Sequence, residues 1–185
     1  MSRKNLFNID NLSAQDIDEN AELIPLMTPE DELEISKEEL PLTLPILSLR
    51  NTVLFPGVII PITIGRERSV KLIKDADSGN KTIGVLSQIQ FDTEEPVIED
   101  LNVIGTVAHI LKMLKMPDGN ITAVIQGRKR FFLNEIVSSE PYYKGKISEL
   151  KEVKPIESDD EFDALVDSVK ELALKIIEES PSSAI

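Results

Sequence analysis

Residues 103–131 read VIGTVAHILKMLKMPDGNITAVIQGRKRF, and this stretch contains the clearest local fold signal of the chain. Apolar and β-branched residues dominate 103–116 and 121–126, as they do in strands that pack on a core. Between these runs Pro117 presets φ, and Gly119, which follows Asp118, accepts positive φ. The stretch therefore predicts a β-hairpin.

Apolar side chains cluster near the tip of this predicted hairpin. Two of them are methionines, whose flexible thioethers suit adaptable contacts. Spare apolar area on a protruding hairpin favours the binding of unfolded segments, although half or more of these side chains would also pack well on the sheet. The candidate substrate-binding residues are Leu111, Met113, Leu114 and Met116.

On either side of the hairpin, the sequence predicts short strands and one small helix. The predicted strands cover residues 46–49, 58–64, 82–88, 131–137 and 143–149, and the predicted helix covers residues 66–75. We expect residues 53–55 to form a short buried segment. Strand 58–64 is expected to be buried on both faces and, because of Pro61, to lie at an edge or to contain a bulge. Gly84 indicates a bulge or a close backbone contact.

The last part of the chain has a different pattern. Apolar side chains recur at spacings of three and four over residues 162–177, which predicts one amphipathic helix of about 19 residues. Ser158 and Glu161 match a capping box before it, and Pro181 would end it. Together these elements predict an α+β fold: a twisted, partly closed β-sheet with one inserted short helix, followed by a C-terminal helical segment.

The charge is unevenly distributed. The chain has a formal net charge of -13, and residues 1–40 hold 11 acidic side chains against 3 basic ones. We expect residues 1–40 to form an acidic, mostly disordered leader, with a docking arm around residues 22–27 as the alternative. The predicted divisions are therefore a leader (1–40), a β domain (41–155) and an amphipathic helical segment (156–185).

The reactive side chains of the sequence point away from catalysis. The chain has no Cys, its single histidine (His109) sits in the middle of a predicted strand, and no phosphate-cradling glycine loop is present. We therefore predict no catalytic, cofactor-binding or metal-binding residue. No apolar stretch is long enough for a signal peptide or a bilayer span, so a cytoplasmic protein without membrane contact is expected.

One basic cluster has aromatic neighbours: Arg128, Lys129 and Arg130 precede Phe131 and Phe132. Three positive charges attract a phosphate backbone only weakly in a chain with this many acidic side chains. Nucleic-acid binding is therefore not expected through this domain.

Residues 44–70, LPILSLRNTVLFPGVIIPITIGRERSV, and the hairpin stretch together resemble the N-terminal domain of Lon ATP-dependent proteases. The resemblance covers about residues 42–180; it departs at Ser48, where the family usually has Pro, and at Asn51, where it often has Asp. The motif residues, to which we assign structural roles, are Arg50, Phe55, Pro56, Gly57, Pro61, Gly65, Gly105, Pro117, Asp118, Gly119, Gly127 and Arg130.

The resemblance implies a PUA-like pseudo-barrel that binds misfolded or regulatory protein substrates and supports assembly of a homohexamer. It also implies ATPase and Ser-Lys protease modules, with ATP and Mg, whose catalytic parts would lie beyond Ile185; the present chain is expected to have no enzymatic activity. The alternative is a stand-alone Lon-domain adaptor or ligand-binding protein without protease activity. A third hypothesis is an RNA-binding module.

Overall fold

The computed structural model describes residues 35, 37–90, 92–116, 120–151 and 160–179. The chain divides into a β-rich unit that ends at Lys151 and a second unit that starts at Glu152. The elements of the β-rich unit are β1 (Thr43–Leu49), β2 (Ile59–Ile64), α1 (Glu67–Ser78), β3 (Thr82–Ser87), β4 (Ile104–Lys115), β5 (Ile121–Ser138) and β6 (Lys144–Glu149). A 3-10 turn at Ile98–Asp100 precedes β4.

The six strands form one sheet in the order β2-β5-β4-β3-β1-β6, and β6 also pairs with β5. Five strands therefore close into a barrel, and β2 extends the first half of β5 outside the ring. Only β1 and β3 run parallel; their connection includes α1, as a parallel crossover requires. The predicted twisted, partly closed sheet with one inserted helix is confirmed.

The long strand β5 joins all parts of this barrel. Sequence patterning predicts two strands separated near Gly127, but the structure has one strand of 18 residues. Register pairs Thr106 with Arg130 and Ala108 with Gly127, so three residues of β5 span two of β4. This β-bulge absorbs the irregular Gly127–Arg130 stretch without ending the strand, which explains why the predicted break is wrong.

Hydrophobic side chains pack on both sides of the sheet. On one side, Leu72, Ile73 and Ala76 of α1 cover the strands, and on the other, inside the barrel, Phe131 is fully buried. The larger core comprises Leu47, Leu49, Leu54, Ile62, Ile64, Leu72, Ile73, Ala76, Ile83, Val85, Ala108, Ile110, Ala123, Ile125 and Tyr142. The barrel interior comprises Leu44, Ile46, Leu86, Leu101, Val107, Phe131, Leu133 and Ile147.

Among the strands of the described residues, β2 pairs only with β5 and is an edge strand, which confirms the expectation drawn from Pro61. Its predicted burial on both faces is wrong. Ile62 and Ile64 are buried, whereas Pro61 and Thr63 are exposed. An edge strand outside the barrel has one face on the core and one face in solvent, so its β-branched residues do not all become core.

Close backbone contact at Gly84 is confirmed. A Cβ atom there would lie 2.8 Å from Cδ1 of Ile46 and 3.1 Å from Cζ of Phe131. The predicted turn after β1 is also present, with Asn51 at a φ of 55°. Asparagine tolerates this left-handed conformation, so the departure at position 51 leaves the turn intact.

The second unit contains the predicted amphipathic helix, α2 (Asp160–Glu179), which confirms the helical spacing of its apolar residues. Its flanking signals, Ser158 and Pro181, lie outside the described residues, as does the stretch from residue 1 to residue 34. Before β1, Ile35 is buried and the backbone carbonyl of Glu38 accepts a hydrogen bond from Lys129 Nζ at 2.7 Å. The division near residue 40 stays a prediction.

Candidate binding surface

A tight turn fixes the chain between β1 and β2. The Val58 N–H donates to the Phe55 carbonyl at 3.2 Å, and Gly57 has a φ of 81°. Pro56 supplies the preset φ before it, which is the pattern of a type II turn. The Gly57 N–H then donates to the Gly127 carbonyl, and the Gly127 N–H to the Val58 carbonyl, both at 2.9 Å. The turn is thereby attached to β5.

The segment that leads into this turn lies directly on the face of β4 and β5. The Thr106 hydroxyl, which is buried, donates to the Leu54 carbonyl at 2.6 Å. A Cβ atom at position 127 would lie 2.2 Å from the carbonyl oxygen of Phe55, so only glycine permits this approach. Gly127 therefore has a steric role that its place in the family motif did not reveal.

Exposure of the segment contradicts the prediction that residues 53–55 are buried. Leu54 alone is buried in the core, whereas Val53 is 57% exposed and Phe55 is 60% exposed. An extended chain alternates its side chains, so the two neighbours of a core residue face away from the core. The alternation of side chains in an extended segment is the sequence signal that could have predicted the exposure of Val53 and Phe55.

Two more apolar side chains lie on the same face. Ile104 is two residues from Thr106 on β4, so its side chain is on the face that carries the segment, about 7 Å along the strand. Phe132 is its register partner on β5. Ile104 is 49% exposed and Phe132 is 40% exposed. We call Val53, Phe55, Ile104 and Phe132 the outer patch.

The four predicted substrate-binding residues fall elsewhere. Leu111, Met113 and Leu114 lie in β4 and Met116 follows its end, and all four are half-buried. Met113 packs against the larger core. The tip residues Pro117, Asp118 and Gly119 lie outside the described residues. A binding role for this group stays a prediction.

The other motif residues have identifiable structural environments. Arg50 donates to the Thr93 carbonyl at 3.2 Å. A Cβ atom at Gly105 would lie 2.2 Å from the carbonyl oxygen of Val85, so this glycine is closely packed. A Cβ atom at Gly65 would have its nearest neighbour 3.7 Å away, so that position is open. Arg130 is exposed on β5 beside the bulge.

Acidic groups lie close to the basic cluster on β5. Lys129 Nζ is 3.2 Å from Oε1 of Glu149, and Arg128 is 3.9 Å from a carboxylate oxygen of Glu38. Nearby, burial and then the charge of Arg128 lower the pKa of His109, which favours its neutral form. These cations already face carboxylates, which weakens their attraction for a phosphate backbone.

The described residues form neither a metal-binding cluster nor a membrane-spanning helix. Among the described side chains of residues 37–90, 92–116, 120–151, 160–176 and 179, no three His, Asp or Glu residues are grouped to hold a metal ion. In the same part of the chain, no helix has the length and apolarity needed to cross a bilayer.

The geometry is that of a binding module: a closed β barrel that presents an apolar surface beside a tight turn. Comparison with known proteins gives the family. Residues 43–184 match the model of the ATP-dependent protease La (LON) substrate-binding domain. The chain belongs to this family, as the motif resemblance predicts.

Relatives at high sequence identity agree. The chain is 59% identical over 182 residues to a Lon protease of Flavobacterium johnsoniae, covering 98% of this chain and 22% of the relative. It is 50% identical over 163 residues to a Lon protease of Cytophaga hutchinsonii, covering 88% of this chain and 20% of the relative. The chain thus spans about a fifth of the length of these curated relatives.

Solved structures match the fold. The N-terminal domain of the Mycobacterium avium complex Lon protease aligns with a TM-score of 0.58 at 22% identity, covering 74% of this chain and 68% of that one. A Lon N-terminal domain protein from Xanthomonas campestris aligns with a TM-score of 0.54 at 19% identity, covering 75% and 83% respectively. These matches support the barrel architecture.

Proposed function

We propose that this domain captures exposed apolar segments of unfolded or damaged proteins on the outer patch. The observation that carries the proposal is the set of large apolar side chains that are exposed beside the Phe55–Val58 turn. Membership of a substrate-binding family supports it. An exposed apolar surface on a folded domain commonly marks an interaction site. Phe55 and Phe132 supply aromatic area at little entropic cost, which suits them as anchors.

Rigidity of the surface supports this role. The segment that carries Val53 and Phe55 is held by the Thr106 hydroxyl and by two backbone hydrogen bonds to Gly127. Ile104 and Phe132 are on paired strands. A surface whose backbone is already fixed loses little entropy on binding, so a small apolar area can still attract a chain.

Affinity for a single segment should be weak. Burying one large apolar side chain yields about 1.5–3 kcal/mol, and association itself costs a comparable or larger total. Useful capture then requires several copies acting together. We propose that the domain functions in a cytoplasmic homohexamer, where ATPase modules with ATP and Mg and a Ser-Lys protease module degrade the captured protein.

The stand-alone adaptor remains the alternative to this arrangement. The adaptor hypothesis predicts the same binding without proteolysis. Both hypotheses assign binding to the outer patch, and they differ only in what the rest of the polypeptide contains. Reading the gene past the codon for Ile185 separates them, because the proposed arrangement requires a nucleotide-binding loop downstream.

Replacing Phe132 by serine on the outer patch is expected to weaken binding of a labelled, permanently unfolded polypeptide at least about fivefold, because loss of its apolar area removes on the order of 1 kcal/mol. Fluorescence anisotropy measures the change. Val137→Ser is the matched control: Val137 is 61% exposed on the same strand, about 16 Å further along. Equal losses in the two variants would contradict a specific surface.

A further inference from the structure

A polar cavity lies on the β-rich unit, between β1, the end of β2 and the start of α1. Its volume is about 460 Å³, within the usual range for sites that bind small ligands. Ser48, Arg50, Arg66 and Ser69 contribute polar groups to its wall, and Glu94 and Glu95 contribute the only carboxylates among the lining residues. The function proposed above leaves this cavity unused.

Two guanidinium groups meet in this cavity. Arg66 donates to the Ser48 hydroxyl at 3.0 Å, to the Gln88 side-chain oxygen at 2.9 Å and to the Thr93 carbonyl at 3.4 Å. Arg50 donates to the same Thr93 carbonyl at 3.2 Å. Both cations are therefore held in place by neutral acceptors.

Neither cation has a close counterion in the part of the chain that the structure describes, because no carboxylate oxygen lies within 4.0 Å of Arg50 or Arg66 there. Burial, followed by the charge of Arg50, lowers the pKa of Arg66, while Glu95 and Glu94 act in the opposite direction from a greater distance. Two like charges held together, with Arg66 partly buried and Arg50 exposed at the rim, favour an anion that bridges them.

The start of α1 adds to this preference. The helix begins at Glu67, and the residue before it, Arg66, makes no side-chain cap. Ser69, in the first turn, also lines the cavity. Free N–H groups of a first turn carry partial positive charge, so the wall formed by α1 is favourable to a negative group.

We propose that this cavity binds a carboxylate group of a polypeptide substrate, which bridges Arg50 and Arg66. The inference rests on the function proposed above, because it adds a polar anchor to the capture of unfolded segments. A carboxylate offers two coplanar oxygens that match the guanidinium fork. Glu94 and Glu95 on the wall oppose a doubly charged phosphate more strongly than a singly charged carboxylate.

The position of the cavity suits an extended peptide. Thr52 lines the cavity, and the next residue, Val53, belongs to the outer patch. Three residues of extended chain separate Thr52 from Phe55, a span of about 10 Å. A peptide of about five residues could place an apolar side chain on the outer patch and its carboxylate between the arginines.

The test compares three labelled peptides of one apolar sequence against the whole 185-residue chain. One peptide has an amidated C-terminus, one a free C-terminal carboxylate, and one is amidated with an internal glutamate. At least one carboxylate peptide is expected to bind about tenfold more tightly than the neutral one. A single charge-assisted hydrogen bond contributes enough binding free energy for a change of that size. Preference for the free acid identifies the chain terminus as the source, and preference for the glutamate identifies a side chain.

Variants of the wall extend the test. Arg50→Gln is expected to reduce the ratio of affinities for the carboxylate and neutral peptides to less than about threefold. The double variant Glu94→Gln and Glu95→Gln is expected to increase this ratio at least about twofold. Arg50 is exposed, so Arg50→Gln is expected to preserve the fold, which circular dichroism checks. Equal affinity for all three peptides, or an unchanged preference in Arg50→Gln, would overturn the carboxylate site. Failure of the outer patch would appear separately, as a Phe132→Ser variant that binds the neutral peptide as well as the wild type does.

Discussion

Replacing Gly105 by alanine is expected to lower the free energy of unfolding by about 3 kcal/mol, because overpacking against rigid backbone is among the more costly core changes. A Cβ atom at this position would lie 2.2 Å from the Val85 carbonyl oxygen, 2.5 Å from Cδ2 of Leu86 and 3.1 Å from the Phe131 ring. The first of these atoms is backbone of the neighbouring strand β3 and cannot rotate away. Relief would therefore require β3 and β4 to separate inside a closed barrel.

Urea unfolding of the whole chain measures this loss, with Gly65→Ala as the matched control. The nearest atom to a Cβ at position 65 is the Asn120 side-chain oxygen at 3.7 Å, an ordinary contact distance. The control is expected to change stability by less than about 1 kcal/mol. If both alanines had the same small effect, the close packing of β3 on β4 at Gly105 would be incorrect.

Truncation of Phe131 to alanine is expected to destabilise the barrel by about 3–5 kcal/mol, the range for large aromatic deletions in a core. Phe131 is fully buried, and its ring lies against the positions where Gly84 and Gly105 have no side chain. The two glycines leave room for the ring on one side, and the closed barrel prevents the surrounding strands from collapsing into the space. Most of the lost contact area would remain as a cavity.

Phe132→Ala is the matched control for this prediction, since the neighbouring side chain has the same chemistry on the opposite, solvent-facing side of β5. Its loss is expected to cost less than about 1.5 kcal/mol because Phe132 is already partly exposed. Urea midpoints of both variants decide the question. A larger loss at position 132 than at position 131 would reverse the assignment of the two faces.

Local signals in the sequence predicted much of the sheet. The hairpin strands, the edge position indicated by Pro61, the close contact at Gly84 and the spacing of the C-terminal helix all depend on neighbouring residues, and all are confirmed. Barrel closure was expected only in outline. The first half of β5 pairs with β2, whose register partners are at least 57 positions away, and the second half pairs with the next strand, β6, so no short window could reveal that β5 is one continuous strand.

The surfaces proposed for binding were harder to anticipate. Exposure of Phe55 depends on the approach of its backbone to Gly127, 72 positions away, which patterning cannot detect. The arginine cavity depends on contacts of Arg66, just before α1, with Ser48 of β1 and with Gln88, just after β3. The prediction for the methionine-bearing segment rests on its apolar side chains and its place near the hairpin tip, and the structure places Met113 against the core.

Capture of unfolded chains is tested most directly by titrating the 185-residue chain with one model protein in its folded form and in a permanently unfolded form. Isothermal calorimetry should detect measurable binding of the unfolded form, with an affinity at least about tenfold higher than for the folded form. Indistinguishable affinities, or no heat with either form, would contradict the assignment of this barrel as a surface for apolar polypeptide segments.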